Sequence, residues 1–402
     1  MQIRTGAAHL FPYFCALFPI VLPLYRFRLS LLSLSISLLE LYVGVVISGG
    51  VILLLQHHYS LSRLWTRKKQ LLIFSSIFIA TGAIGLGFSA DTRFALGIFR
   101  VYFVEHFIAA LLFWCLYDVG VFKSQHIRFA FMAGALLLFF VGGHTLLQCD
   151  GLLPSAKPWI NDEPQRASSL FLNPNSLGLL IAPFVTFYAV ACLHTTEHAS
   201  RDRTVIILSG FASLFGLIAI LLSRSDGALV AFIVGVSAYL LFSRHARRFL
   251  LIAVFLGCLL MAVPDTRTYI TRAFTEKSAG TRIVLWENTF HLLQDHPIQG
   301  AGLGTFKDLY KFYRTSPKQE SPTYPHMIIL NFWVELGVVG LSAVAGMVYV
   351  TLQNTWHRIH REKHFALTGL FCVWVTVLVH GLVDVPFFNN DLSLLWWLLV
   401  WA

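Results

Sequence analysis

Apolar runs of roughly 20 residues follow one another along almost the whole of this chain, and about 20 apolar residues let an α-helix cross the hydrocarbon core of a bilayer. The chain has 402 residues, of which 56% are hydrophobic and only 12% are charged, a composition unlike that of soluble domains. Transmembrane β-strands would instead give short segments of alternating hydrophobicity. The sequence therefore predicts an all-α polytopic membrane protein.

The apolar runs divide into about 12 predicted transmembrane helices. The first run follows Arg4 and resembles a secretory signal, but it lacks a small-residue cleavage site and another span follows at once, so we interpret it as a retained helix. The last run is short and is predicted to be partial or re-entrant. Residues 1–402 are predicted to form one integral membrane domain without internal repeats. The predicted spans are 10–25, 30–55, 71–90, 94–118, 127–148, 170–194, 204–222, 227–243, 249–264, 327–350, 365–383 and 390–402.

The distribution of lysine and arginine predicts the orientation of these spans. With the N-terminus in the cytoplasm, the larger share of basic loop residues is cytoplasmic, as the positive-inside rule requires. That share consists of Arg4, Arg63, Arg67, Lys68, Lys69, Lys123, Arg128, Arg201, Arg203, Arg244, Arg247, Arg248, Arg358, Arg361 and Lys363. The short external loops contain fewer, namely Arg26, Arg28, Arg93, Lys157, Arg166 and Arg224. Both termini are therefore predicted to be cytoplasmic.

Residues 265–326 form a long polar loop with eight Lys/Arg and six Asp/Glu, and the orientation places this loop outside. Long loops are translocated despite positive charge. Basic side chains outside and close to the membrane suit anionic headgroups such as lipid pyrophosphates. The loop therefore predicts a binding site for an anionic, lipid-linked substrate.

Residues 281–296 of this loop are predicted to form an amphipathic helix, which Pro297 ends. We expect its apolar face to lie on the spans or in the membrane interface. The predicted face has four side chains at helical spacing, Ile283, Trp286, Phe290 and Leu293.

Two arginines on the external side are candidate ligands for a diphosphate. Arg282 begins the amphipathic helix, and Arg224 lies in a loop, residues 223–227, that is too short to leave the membrane boundary. An unpaired charge is costly at that depth. One interpretation is that Arg282 snorkels or joins a surface salt bridge and that Arg224 pairs with Asp226 or snorkels. The functional interpretation is that both face a cavity and bind phosphate oxygens.

His326 lies at the end of the polar loop, where the next apolar run begins. A histidine in such a place is more often a packing or hydrogen-bonding residue than a catalyst. Here it lies on the same side of the membrane as the two candidate arginines. A neutral imidazole can take a proton from an attacking sugar hydroxyl, and arginines can stabilise a departing pyrophosphate. The constellation suggests glycosyl transfer from a lipid diphosphate.

Three further polar residues are weaker site candidates. Asn331 and Glu335 are four residues apart on the span after His326, and Asp384 lies at the external end of a later span. Buried polar residues of spans usually face the bundle interior, so Asn331 and Glu335 either orient His326 or pair with neighbours, and the second is favoured. Intramembrane ion pairs are the expected role of the remaining charged residues in the spans, Glu40, Arg100, Glu105 and Asp118.

Other features argue against several classes of protein. The six cysteines include no CxxC pair, so neither a metal site nor a disulfide framework is predicted. No DxD-like acidic pair is present, and no metal or other cofactor is implied. The glycine-rich residues 300–304 follow a helix rather than a strand, which favours a tight turn with close backbone packing over a nucleotide site. The net charge of +10 is typical of positive-inside loops and of attraction to anionic membrane lipids, so nucleic acid is not an expected partner.

Several segments, taken in their order and spacing, resemble the O-antigen ligase and O-antigen polymerase superfamily of bacterial envelope enzymes. The resemblance extends from about residue 165 to residue 402. Members often have asparagine after the motif histidine, and this chain has Met327 there. The segments are Phe171-Leu-Asn-Pro-Asn-Ser-Leu-Gly178; Ser223-Arg224-Ser-Asp-Gly227; Arg282 followed by His296-Pro297-Ile-Gln-Gly300-Ala-Gly302-Leu-Gly304; Pro325-His326 followed by Leu330-Asn331-Phe-Trp-Val-Glu335-Leu-Gly337-Val-Val-Gly340; and His380-Gly-Leu-Val-Asp384.

This resemblance implies a metal-independent, inverting glycan transfer at the periplasmic face of the bacterial inner membrane. The implied donor is a glycan linked to undecaprenyl diphosphate, and in the ligase branch the acceptor is a sugar of lipid A–core. By motif position, His326 would be the general base, and Arg224 and Arg282 would hold the diphosphate.

Other functions stay open from the sequence. Within the superfamily the alternatives are a polymerase, whose acceptor is a second lipid-linked repeat unit, and a protein O-oligosaccharyltransferase. A second class is a transporter or flippase of lipid-linked sugars, in which the arginines bind and release the substrate but no bond is made. No convincing repeat between the two halves of the chain supports that class.

Overall fold

The computed structural model describes residues 6–31, 34–153, 166–197, 202–243, 278–316 and 321–402. The N-terminal part consists of α1 (Gly6–Ala16), α2 (Phe18–Val21), a 3-10 turn (Leu22–Arg26), the strands β1 (Arg28–Leu31) and β2 (Leu34–Ser37), α3 (Leu38–Gln56), α4 (Leu61–Leu86), α5 (Thr92–Ile98), a π-helix (Phe99–Glu105), α6 (His106–Asp118) and α7 (Ser124–Cys149). The two strands pair antiparallel as a small hairpin.

The C-terminal part of the chain supplies the candidate site. Its elements are α8 (Pro174–Glu197), α9 (Arg203–Ser223), α10 (Asp226–Ala238), a 3-10 turn (Tyr239–Leu241), α11 (Ser278–Asp295), α12 (Phe306–Tyr313), α13 (Ile328–Glu362), α14 (Phe365–Gly381) and α15 (Asn390–Trp401). Helix α8 packs against α9, α10 and α14, and α13 packs against α4.

Seven helices within the described ranges are long and apolar enough to cross a membrane, and the shorter apolar helices Asp226–Leu241 and Phe365–Gly381 accompany them. This architecture is that of an all-α membrane protein, whereas the count of about 12 spans is not confirmed. The predicted span 249–264 lies outside the described residues. The seven are Leu38–Gln56, Leu61–Leu86, Thr92–Asp118, Ser124–Cys149, Pro174–Glu197, Arg203–Ser223 and Ile328–Glu362.

The first and last predicted spans are not full-length helices. Residues 10–25 were expected to form one span, but α1, α2 and a 3-10 turn divide them. Pro19 and Pro23 are the second residues of the second and third pieces, and proline has no N–H to continue a preceding helix. The predicted last span is α15, whose 12 residues make a helix about 18 Å long, shorter than the hydrocarbon core.

Helix α13 is interrupted at Gly337, where φ is 70° and ψ is −178°. Only glycine adopts that conformation readily. A Cβ at this position would lie 2.1 Å from the carbonyl oxygen of Ile298, so the neighbouring chain also requires glycine. The predicted span 327–350 corresponds to α13, which consists of one helical segment before Gly337 and a second after it.

The glycine-rich residues 300–304 pack into this break. The backbone N–H of Ala301 donates to the carbonyl oxygen of Val334, 2.6 Å away. The N–H of Gly304 donates to the carboxylate of Glu335. All three glycines have a positive φ. The predicted tight turn with close backbone packing is confirmed.

Helix α11 confirms a helix near residues 281–296, and of its predicted apolar face Leu293 is buried within the protein. Ile283 and Phe290 are 52% and 50% exposed. The side-chain amide of Asn288 donates to the hydroxyl of Tyr310 on α12, so polar side chains contribute to the contact between α11 and α12. The spacing of apolar residues alone does not predict this contact. The buried side chains of α11 are Leu285, Asn288, Thr289, Leu292 and Leu293.

The charged residues within the spans form ion pairs, as expected. The guanidinium of Arg100 lies 2.8 Å from the carboxylate of Glu40 and 3.4 Å from that of Glu105. The side chain of Asp118 is buried and pairs with two arginines of α4. These charges are therefore balanced within the protein, as the membrane interior requires.

Candidate active site

His326 and Asp384 form the central pair of the candidate site. Nδ1 of His326 lies 3.1 Å from Oδ1 of Asp384, which is a hydrogen-bonding distance. The Asp384 side chain is 10% exposed and that of His326 is 38% exposed, so the imidazole connects a buried carboxylate to the outside. Because Nδ1 is engaged, Nε2 is the nitrogen through which the ring can accept a substrate proton.

The carboxylate of Asp384 is held in its ionised form. Burial raises the pKa of Asp384, but the hydrogen bond with His326 and the charges of His326 and His380 lower it, and the net pKa lies below its usual value. The backbone N–H of Val385 also donates to Oδ1 over 2.9 Å. An ionised carboxylate at this distance can orient the imidazole and stabilise its protonated form.

The backbone around His326 brings it to the end of α14. His326 itself has a left-handed conformation, with a φ of 49°, which residues with a Cβ seldom adopt although histidine does so more readily than most. Two residues later Ile328 packs against Gly381, where a Cβ would lie 2.8 Å from the Ile328 side chain. This contact between the start of α13 and the end of α14 places His326 beside Asp384.

Helix α11 brings Arg282 towards the same place. The indole N–H of Trp286 donates to the carbonyl oxygen of Pro325 over 3.0 Å, one residue before His326. Arg282 lies four residues before Trp286 and therefore on the same face of α11. The guanidinium of Arg282 also lies within electrostatic range of the His380 imidazole.

The loop that contains Arg224 reaches the site through Gly227. A Cβ at Gly227 would lie 2.9 Å from Val383 and about as close to the His380 ring, so the start of α10 packs against the turn that carries Asp384. The Arg224 side chain is exposed, and its charge acts on Cys149 at the end of α7. The structure thus brings this loop to the site, without a hydrogen bond between Arg224 and His326 among the described residues.

Neither Arg224 nor Arg282 forms an ion pair with a carboxylate within the part of the chain that the structure describes. The pairing of Arg224 with Asp226, one of the alternatives from the sequence, is not observed among these residues. Arg100, by contrast, is neutralised by acidic side chains. The two candidate arginines consequently keep their charge available for an anionic ligand.

His380 belongs to this site, although sequence reasoning noted it only as part of a motif. Its ring is buried, and its Nδ1 has no hydrogen-bond partner among the described residues. It lies against Gly227 and within electrostatic range of both Asp384 and Arg282. In the sequence, the four-residue spacing of His380 and Asp384 at the end of a span was the signal that could have indicated His380 as a site residue.

Asn331 and Glu335 lie deeper, and neither forms a hydrogen bond with His326 among the described residues. Both are fully buried. Glu335 accepts a hydrogen bond from the backbone of Gly304, so the favoured prediction that it pairs with a neighbour is confirmed. The amide of Asn331 forms no side-chain hydrogen bond within the described ranges.

Groups of three or more His, Cys, Asp or Glu side chains suited to a metal ion are absent from the described residues. The chemistry that these residues offer is that of one histidine base with its carboxylate partner and two arginines. Such a set suits proton removal from a hydroxyl next to a bound anion. The fold and the site together define a helical membrane protein with a candidate acid–base site beside two arginines.

Comparison with known proteins gives a family match for one part of the chain. Residues 211–345 match the family model described as O-antigen ligase. This match includes Arg224, Arg282 and His326 and ends before Asp384. The predicted resemblance to the O-antigen ligase superfamily is thereby confirmed. No curated protein matches the chain.

Proposed function

We propose that the protein transfers a glycan from undecaprenyl diphosphate to a sugar hydroxyl of lipid A–core. The reaction would take place at the periplasmic face of the bacterial inner membrane, with both chain termini in the cytoplasm. The observation that carries this proposal is the His326–Asp384 pair together with Arg224 and Arg282, neither of which forms an ion pair with a carboxylate among the described residues. The family match supports a lipid-linked glycan as substrate.

The chemical step follows from the roles of these side chains. Nε2 of His326 takes the proton of the acceptor hydroxyl while its oxygen forms a bond to the anomeric carbon of the donor. The bond from that carbon to the phosphate oxygen breaks, and the electron pair leaves with undecaprenyl diphosphate. A single displacement of this kind inverts the anomeric centre. The imidazolium then releases its proton to water.

Asp384 and the arginines lower the barrier of this step in different ways. Asp384 orients the His326 ring and stabilises the imidazolium that forms, so it acts through His326. Arg224 and Arg282 neutralise the charge that develops on the departing diphosphate. His326 is the catalytic base in this scheme, and Asp384 is a positioning residue.

Purified protein in proteoliposomes, given lipid-linked glycan and lipid A–core, tests the proposal. We expect the wild-type protein to form glycan-substituted lipid A–core and His326→Ala to form none. Full transfer by His326→Ala would show that His326 is not the catalytic base.

The same assay separates the alternatives by their products. Longer lipid-linked glycans without lipid A–core product would indicate a polymerase, and glycosylated protein would indicate a protein O-oligosaccharyltransferase. Movement of the lipid-linked glycan across the bilayer without any new bond would indicate a transporter.

A further inference from the structure

The end of α9 is held by a segment that lies far away in sequence. We call residues 166–175 the brace. Nε of Arg166 donates to the carbonyl oxygen of Ser223 over 3.0 Å, and its Nη2 donates to Oδ1 of Asn175 over 2.8 Å. The backbone N–H of Ala167 donates to the carbonyl oxygen of Leu222 over 2.9 Å. The last carbonyl groups of a helix lack hydrogen-bond donors within the helix, and in α9 the brace provides these donors.

These contacts adjoin the turn at Arg224. Arg224 ends α9 in the left-handed conformation, with a φ of 48°. That position usually contains glycine, because a Cβ makes the conformation costly. The sequence nevertheless has arginine there, so the turn has to be stabilised by its surroundings.

The brace is itself anchored to other elements. The side-chain amide of Gln148 on α7 both donates to the carbonyl oxygen of Ser169 and accepts from its N–H, over 3.1 and 2.8 Å. Arg26 donates to the carbonyl oxygen of Leu170. The position of Arg166 is therefore fixed from two sides by residues that do not belong to the candidate site.

The turn is also confined from the side of α8. A Cβ at Gly178 would lie 3.0 Å from the hydroxyl oxygen of Ser225, the residue after Arg224. The segment that begins at Phe171 and ends at Gly178 thus packs its last residue against the turn and contributes Asn175 to the bonds of Arg166. This arrangement gives a structural reason for two of the segments that carry the family resemblance to lie together.

We propose that Arg166 is a positioning residue. By holding Ser223 and Asn175 at once, it fixes the left-handed turn at Arg224 and with it the direction in which the Arg224 guanidinium meets the donor diphosphate. This inference rests on the proposed function, because it assigns the diphosphate to Arg224. Arg166 acts through Arg224 and does not touch the substrate in this account.

The planar guanidinium of Arg166 is needed for the two bonds. It presents Nε and Nη2 in a fixed fork, whereas a lysine ammonium is a single point of charge. Arg166→Lys keeps the charge and removes the fork. Asn175→Ala removes one of the two acceptors and leaves the bond to Ser223 in place.

The test is the affinity of each full-length variant for undecaprenyl diphosphate in detergent micelles. We expect Arg166→Ala and Arg166→Lys to weaken binding roughly tenfold and Asn175→Ala to weaken it less, since hydrogen bonds to a charged group are lost. We expect Arg224→Ala to weaken it at least as much. The double variant Arg166→Ala/Arg224→Ala should bind like Arg224→Ala alone, because the brace acts only through Arg224.

Arg28→Ala is the matched control. Arg28 pairs with Glu40 over 3.7 Å and, in the part of the chain that the structure describes, forms no hydrogen bond or ion pair with residues 222–225. Its removal therefore takes away the same charge and leaves the bonds of the turn in place. We expect its affinity to match that of the wild type. An equal loss in Arg28→Ala would mean that overall charge matters and would overturn the role of the brace.

The remaining outcomes separate the two proposals. Wild-type affinity in Arg224→Ala would refute the diphosphate assignment and the brace with it. A loss in Arg224→Ala together with wild-type affinity in Arg166→Lys and Asn175→Ala would refute the brace alone. Additive losses of affinity in the double variant Arg166→Ala/Arg224→Ala would also refute the brace alone. Thermal unfolding of each variant identifies any that fails to fold, and Asn175→Ala then decides the question.

Discussion

His326 and Asp384 lie 58 positions apart in the chain, and Nδ1 of the first is 3.1 Å from Oδ1 of the second. This hydrogen bond selects the tautomer of the imidazole and points Nε2 away from the carboxylate. It also makes Asp384, which sequence reasoning ranked below the arginines, the closest polar partner of the proposed base.

Replacement of Asp384 by asparagine tests the pair directly. The amide has nearly the same size but no charge, so it cannot stabilise the imidazolium, and we expect kcat to fall roughly 100-fold or more. The donor KM should stay close to that of the wild type, because Asp384 does not contact the donor in this account. Steady-state transfer assays in proteoliposomes measure both constants. An unchanged kcat would mean that His326 acts without Asp384.

The lowered pKa of Asp384 makes a prediction about acid stability. A carboxyl group with a depressed pKa in the folded state stabilises the fold above its unfolded pKa, and this stabilisation is lost as the pH falls through the folded pKa. The difference in unfolding temperature between the wild type and Asp384→Asn should therefore stay constant from about pH 8 to about pH 5 and shrink only below about pH 4. A difference that already disappears near pH 6 would contradict the lowered pKa.

Replacement of Arg224 by glycine separates function from stability. Glycine adopts the left-handed conformation of this position without strain, so the free energy of unfolding should stay the same or rise by up to about 1 kcal/mol. Transfer should nevertheless fall roughly 100-fold, because the guanidinium is gone. Thermal unfolding and transfer assays on the same preparation measure the two effects. A glycine variant that transfers like the wild type would exclude Arg224 from the site.

Gly337, in contrast to Arg224, is expected to matter for stability and not for transfer. We expect Gly337→Ala to lower the free energy of unfolding by at least about 2 kcal/mol, because the backbone conformation is reserved for glycine and the added Cβ meets the Ile298 carbonyl. Gly143→Ala, on α7 and with open space around its Cα, is the matched control and should change stability little. Equal unfolding temperatures for the two variants would contradict the described packing of the break.

The elements that depend on local sequence could be predicted. Long apolar runs identify most spans, because a helix of about 20 residues is the solution that the bilayer imposes. The ion pairs of Glu40, Arg100 and Asp118 were expected for the same reason, since an unpaired charge within the membrane is costly. The motifs around Arg224, Arg282 and His326 were recognisable from their order along the chain.

What could not be predicted depends on contacts between distant segments. The break at Gly337 exists because the chain near Ile298 and the glycine-rich residues 300–304 occupy the space that a continuous helix would need. Apolar spacing also does not reveal that Asn288 of α11 is buried against Tyr310. The contact between Gly227 and His380 joins two helices that no periodicity links.

His326→Asn is the most direct test of the central claim that the His326 imidazole is the base of the transfer. Asparagine tolerates the left-handed backbone of this position and its amide can still bond to Asp384, so the fold should be retained, yet an amide cannot accept the proton. The measurement is the rate of glycan transfer to lipid A–core by the folded variant in proteoliposomes. We expect normal thermal unfolding, normal binding of undecaprenyl diphosphate and at least a roughly 1,000-fold loss of transfer. Transfer at the wild-type rate would contradict the account.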